Sequence, residues 1–343
     1  MPVTVIVGGQ FGSEGKGKVA HFLAKEMHAS VVIRVGGPNS GHTVISEEGP
    51  LIFRQLPTAA ILPDVKCVLP AGSYIFPSRL LEEIHTANLS PARLLIDPNA
   101  IIITPETLQD ENQSMLGSTI GSTQSGTGAA VLARISRLGR AKLAQNEESL
   151  KPYIRPATSF LREKLDKKER VIIEGTQGFG LSVLHARDYP FTTSRDTTAA
   201  GFVAEAGLSP LDVDDIVLVI RAFPIRVAGN SGPLPREFTW QELADESGSN
   251  APIIEYTSVT KTVRRVARFD PEIVRDAIMY NKPTRIVLNH LDYIDTAHSD
   301  SIGISSKCSA FLRYVESEIG CRITYTGLGP NHLIPLENLL KLA

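Results

Sequence analysis

Lys16 and Lys18 stand in a glycine-rich run, GSEGKGK over residues 12–18, directly after the apolar stretch VTVIV of residues 3–7. Glycine amides at a strand end, with a helix N-terminus behind them, aim N–H groups and a partial positive charge at one spot, which suits a phosphate. The template GxxxxGK[ST] is met from Gly12 to Lys18, but Val19 occupies the place of the Mg²⁺-binding hydroxyl, so an ordinary Walker loop is not expected. A second loop, GGPNSGHT over residues 36–43, follows the Val/Ile run at 31–33 and carries His42. A histidine inside a phosphate loop can protonate or steady a transferred phosphoryl group near neutral pH; the plainer reading is a structural hydrogen bonder. Lys16 supplies a point charge for phosphate, or else a solvated loop charge. Gln177, in the EGTQG that ends the apolar run at 171–173, can donate and accept, so it can follow an oxygen from carbonyl to phosphoryl ester; its plainer reading is a turn residue.

Taken together, GSEGKGK and GGPNSGHT resemble the paired signatures of the adenylosuccinate synthetases. These enzymes activate the C6 oxygen of a purine nucleotide with a nucleoside triphosphate and then displace it with aspartate. The family's first motif reads WGDEGKGK, where this chain has Phe11 for Trp and Ser13 for Asp. That Asp is the family's catalytic base and a magnesium ligand. Serine there resembles the phage branch that makes 2-aminoadenylosuccinate from dGMP.

The resemblance implies a role for each further motif. Catalysis falls to Ser13, Lys16, His42 (as acid) and Gln177 (on the C6 oxygen), and Mg²⁺ to Ser13 and the Gly41 carbonyl. The triphosphate, ATP in the phage branch, falls to Ser13, Gly15, Lys16, Gly17, Gly41, His42 and Thr43, with Asn289, Asp292 and Gly329 around the base. LNHLD over residues 288–292 stands where the family reads TKLD and recognises guanine; His290 replaces the Lys, so strict GTP use is not expected. The monophosphate substrate falls to Ser13, Asn39, Thr123, Gln177, Thr193 and Val227, with Arg137 reaching the phosphate of a neighbouring subunit, which implies a homodimer. Read without the resemblance, the Arg-rich stretch 134–140 is a solvated helix face. The loop at 120–128 departs from the family's GRG at Gln124 and Ser125. L-aspartate falls to Thr257, Ser258, Val259, Thr260 and Arg264, while Thr262 replaces a further Arg of that loop. Three hypotheses stand at this stage: a dGMP ligase, a conventional adenylosuccinate synthetase on IMP and GTP, and an inactive nucleotide-binding module.

The elements that must hold these loops are legible as short apolar runs at 66–69, 93–96, 101–103, 171–174, 215–220 and 285–288, with helix-like segments at 78–86 and 145–165 between them. Runs of this kind predict strands buried on both faces: an α/β fold with an open, mostly parallel central sheet flanked by helices, and sites at the strands' carboxyl ends. Irregular stretches at 119–130, 175–200 and 227–236 are expected to be functional loops. Without a linker or repeat, residues 1–343 are expected to form a single domain with loop insertions. A formal net charge of −2 argues against bulk binding to nucleic acid or membrane, so the partners expected are small molecules. Cys67, Cys308 and Cys321 lack metal or disulfide spacing, and with no leader or membrane-length run this points to reduced thiols in a cytoplasm.

Overall fold

The computed structural model describes residues 2–257, 261–296, 304–330 and 332–339. The run VTVIVG forms β1 (Val3–Gly8), buried along its whole length. Its one polar side chain, Thr4, is satisfied by the Asp215 carboxylate at 2.9 Å. The other runs give β2 (Val31–Arg34), β3 (Lys66–Leu69), β4 (Leu94–Ile96), β5 (Val171–Glu174), β6 (Val213–Arg221) and β7 (Arg285–Asn289), followed by β8 (Tyr325–Leu328) and β9 (His332–Pro335). They form one sheet in the order β9-β8-β7-β6-β1-β5-β2-β3-β4. Only the β8–β9 pair among them is antiparallel.

Alternation within each strand sends side chains to two cores. Val3, Val5 and Val7 pack with the helices Ala157–Asp166, Ala199–Ala206, Pro271–Asn281 and Ser306–Ile319 on one face. Ile6, Val32 and Val217 pack with Val19 and Leu23 of the helix Lys16–Glu26 on the other. Val19, standing where a metal-binding hydroxyl would be, is wholly buried in that second core.

Three expectations are corrected. Residues 145–165 are not one helix: 3₁₀ turns cover Ala144–Asn146 and Glu148–Tyr153, with Pro152 inside the second, and an α-helix begins only at Ala157. Pro152 and Pro156 remove amide donors and restrict the residues before them, so a continuous helix cannot form. The run at 101–103 does not join the main sheet; Ile101–Ile102 pairs with Tyr74–Ile75 and Lys142–Leu143 in a small separate sheet. Residues 119–130 are only partly irregular, since helices Leu116–Ile120 and Thr127–Ser136 bracket a short loop. The cysteines are free, with Cys67 and Cys308 buried. Among the described residues no helix is long and apolar enough to cross a membrane.

Candidate active site

The carboxyl ends of β1, β2, β5, β6 and β7 open into one cavity of about 1120 Å³. That is larger than the ~300–1,000 Å³ usual for a single small ligand, so there is room for more than one substrate. Its floor is the loop after β1. Gly12, Ser13 and Gly15 all have positive φ, at 92°, 56° and 91°, which winds the chain tightly before the helix starts at Lys16. For Ser13, which is not glycine, this is an uncommon backbone state of the kind that clusters at functional sites. Gly17 permits a close approach, because a Cβ there would meet His42 Cβ and Thr58 Cγ2 at 2.8 Å each.

Glu14 points away from the cavity and organises this loop. Its Oε1 accepts from the Gly12 and Gln10 amides at 2.8 and 3.1 Å, and its Oε2 accepts from Lys16 Nζ at 2.6 Å. The pair is almost fully buried. Lys16 is thus held in place before any phosphate arrives, with Glu14 balancing its charge.

Parallel register sets Glu174 beside Arg34 at the ends of β5 and β2. Glu174 Oε1 accepts from Arg34 Nη1 at 2.9 Å and from His42 Nδ1 at 2.6 Å, which fixes the imidazole proton on Nδ1. Arg34 Nη1 also crowds His42 Nδ1 and lies 3.2 Å from Nε2. Glu174 Oε2 accepts from the Thr58 amide and hydroxyl at 2.9 Å each, and that hydroxyl lies 2.8 Å from the Gly17 carbonyl. Burial first, and then the Arg34 charge, push the His42 pKa down to about 3. Burial alone would raise Glu174, yet its bond to His42 and the Arg34 charge hold it below the ordinary value. Its protein surroundings alone therefore keep His42 neutral at neutral pH, and an acid role requires incoming negative charge to raise its pKa.

The opposite wall carries a second cluster. Glu255 is bound by both Nη atoms of Arg221 and by Arg264 Nη1 at 3.3 Å. Burial would raise its pKa, but Arg221 above all holds it at about 2. Arg221 Nη1 also donates to the Ser13 carbonyl at 3.0 Å, which ties this wall to the floor. His290 is half-buried, its ring centroid 5.2 Å from that of Tyr293, and desolvation and then the Arg221 charge push its pKa well down. Next to it, burial raises the Asp292 pKa and lowers that of Lys18 to about 8, the latter against the attraction of Asp292. Lys18 Nζ donates to the Gly329 carbonyl at 3.1 Å.

The structure brings most of the predicted residues to this one cavity. Ser13, Gly15, Lys16 and Gly17 line its floor; Asn39, Gly41, His42 and Thr43 line one side with Thr123, Gln177, Thr193 and Val227; Thr257, Arg264, Asp292 and Gly329 line the other. Asn289 does not reach it: its amide is buried under the floor, donating to the Glu14 carbonyl at 2.7 Å. Arg137 lies outside, exposed, at the C-cap of the helix Thr127–Ser136 with φ 55°. Ser258, Val259 and Thr260 fall outside the described residues. Sequence reasoning passed over Glu14, Arg34, Glu174, Arg221 and Glu255. Glu14 and Glu174 lay inside quoted motifs, and charged residues flanking buried apolar strands were the available signal.

The family profile described as adenylosuccinate synthetase matches residues 5–142 and 139–307. The adenylosuccinate synthetase of Methanococcus maripaludis is 35% identical over 340 residues, spanning 96% of this chain and 97% of that one. The chain belongs to the adenylosuccinate synthetase family. Another archaeal synthetase, from Methanocaldococcus jannaschii, is 36% identical over 347 residues, covering 98% of this chain and 97% of its own length. Among solved structures, the cyanophage S-2L succinoaminodeoxyadenylate synthetase, bound to dGMP and to dATP as an energy donor, superposes with a TM-score of 0.82 at 30% identity and 99% coverage of both chains. The fully ligated adenylosuccinate synthetase from Plasmodium falciparum has a TM-score of 0.85 at 21% identity, covering 98% of this chain and all of that one, and so shares the fold. As a family member the chain is a C–N bond-forming ligase of the kind that binds nucleotides and aspartate and depends on Mg²⁺.

Proposed function

We propose that this ligase joins L-aspartate to C6 of dGMP, with ATP as donor, giving 2-amino-2′-deoxy-N6-succinyladenylate, ADP and phosphate. The observation that carries the reading is Ser13, a serine on the cavity floor where the family has its carboxylate. A hydroxymethyl group leaves space beside N1 of the purine, where guanine carries its C2 amine and hypoxanthine carries none. The 30% identity to a cyanophage enzyme solved with dGMP supports it.

The reaction takes two steps. The γ-phosphoryl group passes from the donor to O6, forming an O–P bond, releasing the nucleoside diphosphate and losing the N1 proton. The aspartate amine then attacks C6, the C6–O bond breaks, phosphate leaves and the amine gives up a proton. Lys16 and the amides of the floor hold the transferred phosphoryl group, an electrostatic role that needs fixed donors. His42, set by Glu174, serves the same group as an acid once the incoming phosphate charge raises its pKa. Gln177 holds O6, and Arg264, held in place through Glu255, receives an aspartate carboxylate. Mg²⁺ suits the oxygen donors here, the Ser13 hydroxyl, the Gly41 carbonyl and substrate phosphates, and no cluster of His, Cys, Asp or Glu among the described residues offers it a cage. When bound it neutralises phosphate charge. Serine is a poor base, so the N1 proton leaves by a route shared with water.

We further propose a dimer. The segment that carries Arg137 exposes Leu132, Ile135 and Leu138, at 69, 68 and 71% exposure, and large apolar side chains left in water suit a partner surface.

A second reading, synthesis of adenylosuccinate from IMP and GTP, has the archaeal relatives in its favour. Incubation with aspartate, Mg²⁺, ATP or GTP and either dGMP or IMP, read by mass spectrometry, separates the two. A succinylated product from dGMP with ATP is expected; product from IMP alone, with GTP alone, hands the function to the second reading.

A further inference from the structure

The loop over residues 122–126 lacks the arginine that its sequence resemblance leads one to expect at Ser125, yet a guanidinium reaches that position from elsewhere. Arg54 follows the strand Gly49–Phe53, and its backbone amide is fixed by Glu83 Oε1 at 2.8 Å. Its Nε donates to the Pro38 carbonyl at 2.6 Å, and its Nη2 donates to Ser125 Oγ at 3.1 Å. Ser125 Oγ in turn lies 3.0 Å from Thr123 Oγ1. Thr123 lines the cavity, whereas Arg54 and Ser125 do not.

Chemistry gives this chain a direction. A guanidinium only donates, so Ser125 must accept from it and keeps its own proton for another acceptor. Thr123 Oγ1 is well placed, the alternative Thr123 carbonyl being 3.5 Å away. Thr123 Oγ1, once it accepts, has its own O–H left to turn toward the cavity. Each bond in such a chain polarises the next, and a positive charge at the closed end favours an anion at the open one. A second polar group lining the same cavity has hydrogen-bonding capacity to spare. The helix Thr127–Ser136 starts without a side-chain cap, and the Thr127 hydroxyl at its first turn is 2% exposed with no hydrogen-bond partner among the described residues.

We infer that Arg54 is a positioning residue for the substrate's 5′-phosphate, acting through Ser125 to turn the Thr123 hydroxyl into an oriented donor. It also joins two cavity loops, since Pro38 precedes Asn39, whose amide lies 3.4 Å from Thr193 Oγ1. The inference rests on the proposed monophosphate site and is independent of which purine that site takes.

The test is calorimetric titration of the full chain with dGMP and with deoxyguanosine, which lacks the phosphate. Ser125→Ala, a small change that leaves the fold intact, and Arg54→Met are each expected to weaken dGMP binding by about tenfold, the scale of a lost charge-assisted hydrogen bond. Deoxyguanosine binding stays as in wild type, and the double variant is no weaker than Arg54→Met alone. Unchanged dGMP affinity in Ser125→Ala overturns the relay. An equal loss for dGMP and deoxyguanosine assigns Arg54 to packing and overturns it as well. If wild type binds IMP and not dGMP, the dGMP reading fails while the relay is read in the same way with IMP and inosine. A wild type that binds neither nucleotide overturns both.

Discussion

At the phosphate end of the cavity the charges are paired one to one inside the protein, Lys16 with Glu14 and Arg34 with Glu174, and His42 is neutral between them. At the other end the balance is uneven: Arg221 and Arg264 share the single carboxylate of Glu255, and Asp292 keeps a buried oxygen, Oδ1, without a hydrogen-bond partner among the described residues. The first arrangement suits a group that every substrate of the family carries. The second leaves charge and hydrogen-bonding capacity for whatever amino acid and base are chosen. Two of the departures from the family pattern, Thr262 and His290, line the cavity at this second end, whereas Phe11, Gln124 and Ser125 lie elsewhere. Ser13 lies at the boundary, its carbonyl held by Arg221 and its side chain on the floor of the first. On the proposed reading, transfer chemistry is built in and selectivity is adjustable, with Ser13 as the residue that belongs to both.

The largest effect should come from breaking the paired end. Lys16→Met removes the phosphate cation and leaves Glu14 buried without its partner. We expect kcat/KM to fall on the order of 10³-fold and stability by roughly 3–5 kcal/mol, measured by steady-state kinetics and urea denaturation. Arg264→Met, at the uneven end, should raise the aspartate KM by about 10- to 100-fold with a smaller stability loss, because Glu255 keeps Arg221. Equal stability losses in the two variants would remove the contrast.

Acid should expose the same difference. His42 and His290 have folded pKa values below the ordinary 6.5, so below that pH the unfolded chain takes up protons that the folded chain does not. Their contribution is full above pH 6.5 and is lost as pH falls toward about 3 for His42. Each group costs about 1.4 kcal/mol per pH unit in that window. Glu255, held at about 2, adds its loss only below its unfolded value of 4.5. Denaturation between pH 8 and 5 should show stability falling below 6.5, with a shallower fall in His42→Asn. A flat profile would place protonated histidines in the folded site.

How much of this could be read from residues alone differs between the two ends. The floor was legible because glycines, Lys16 and a following helix obey a local rule, and the strands because continuous apolar runs have few alternatives. Glu174 was visible only as a motif letter, since its meaning comes from parallel register with Arg34, which joins residues far apart in the chain. Arg221 and Glu255 were invisible for the same reason. Asn289 was misplaced because strand β7 turns its amide under the floor, and the helix expected over 145–165 failed on two prolines within the run. Local patterns carry over from sequence to structure; pairings across the sheet do not.

The smallest effect concerns the partner subunit. Mixing Arg137→Leu protein with His42→Ala protein, each inactive alone, should recover up to roughly a quarter of wild-type activity, because half of the exchanged dimers hold one intact site. No recovery after subunit exchange is confirmed by native mass spectrometry would place Arg137 outside the site.

The central claim, that Ser13 sets the choice of purine, is tested most directly by Ser13→Asp. The quantity to measure is the ratio of kcat/KM for dGMP to that for IMP, because a new carboxylate will alter Mg²⁺ handling for both substrates together and the ratio cancels that change. Crowding of the C2 amine, together with a base suited to hypoxanthine, should lower the ratio by roughly 10- to 200-fold, equivalent to about 1–3 kcal/mol. A folded Ser13→Asp variant with the wild-type ratio would contradict the claim and move selectivity to the 122–127 loop or to Thr262.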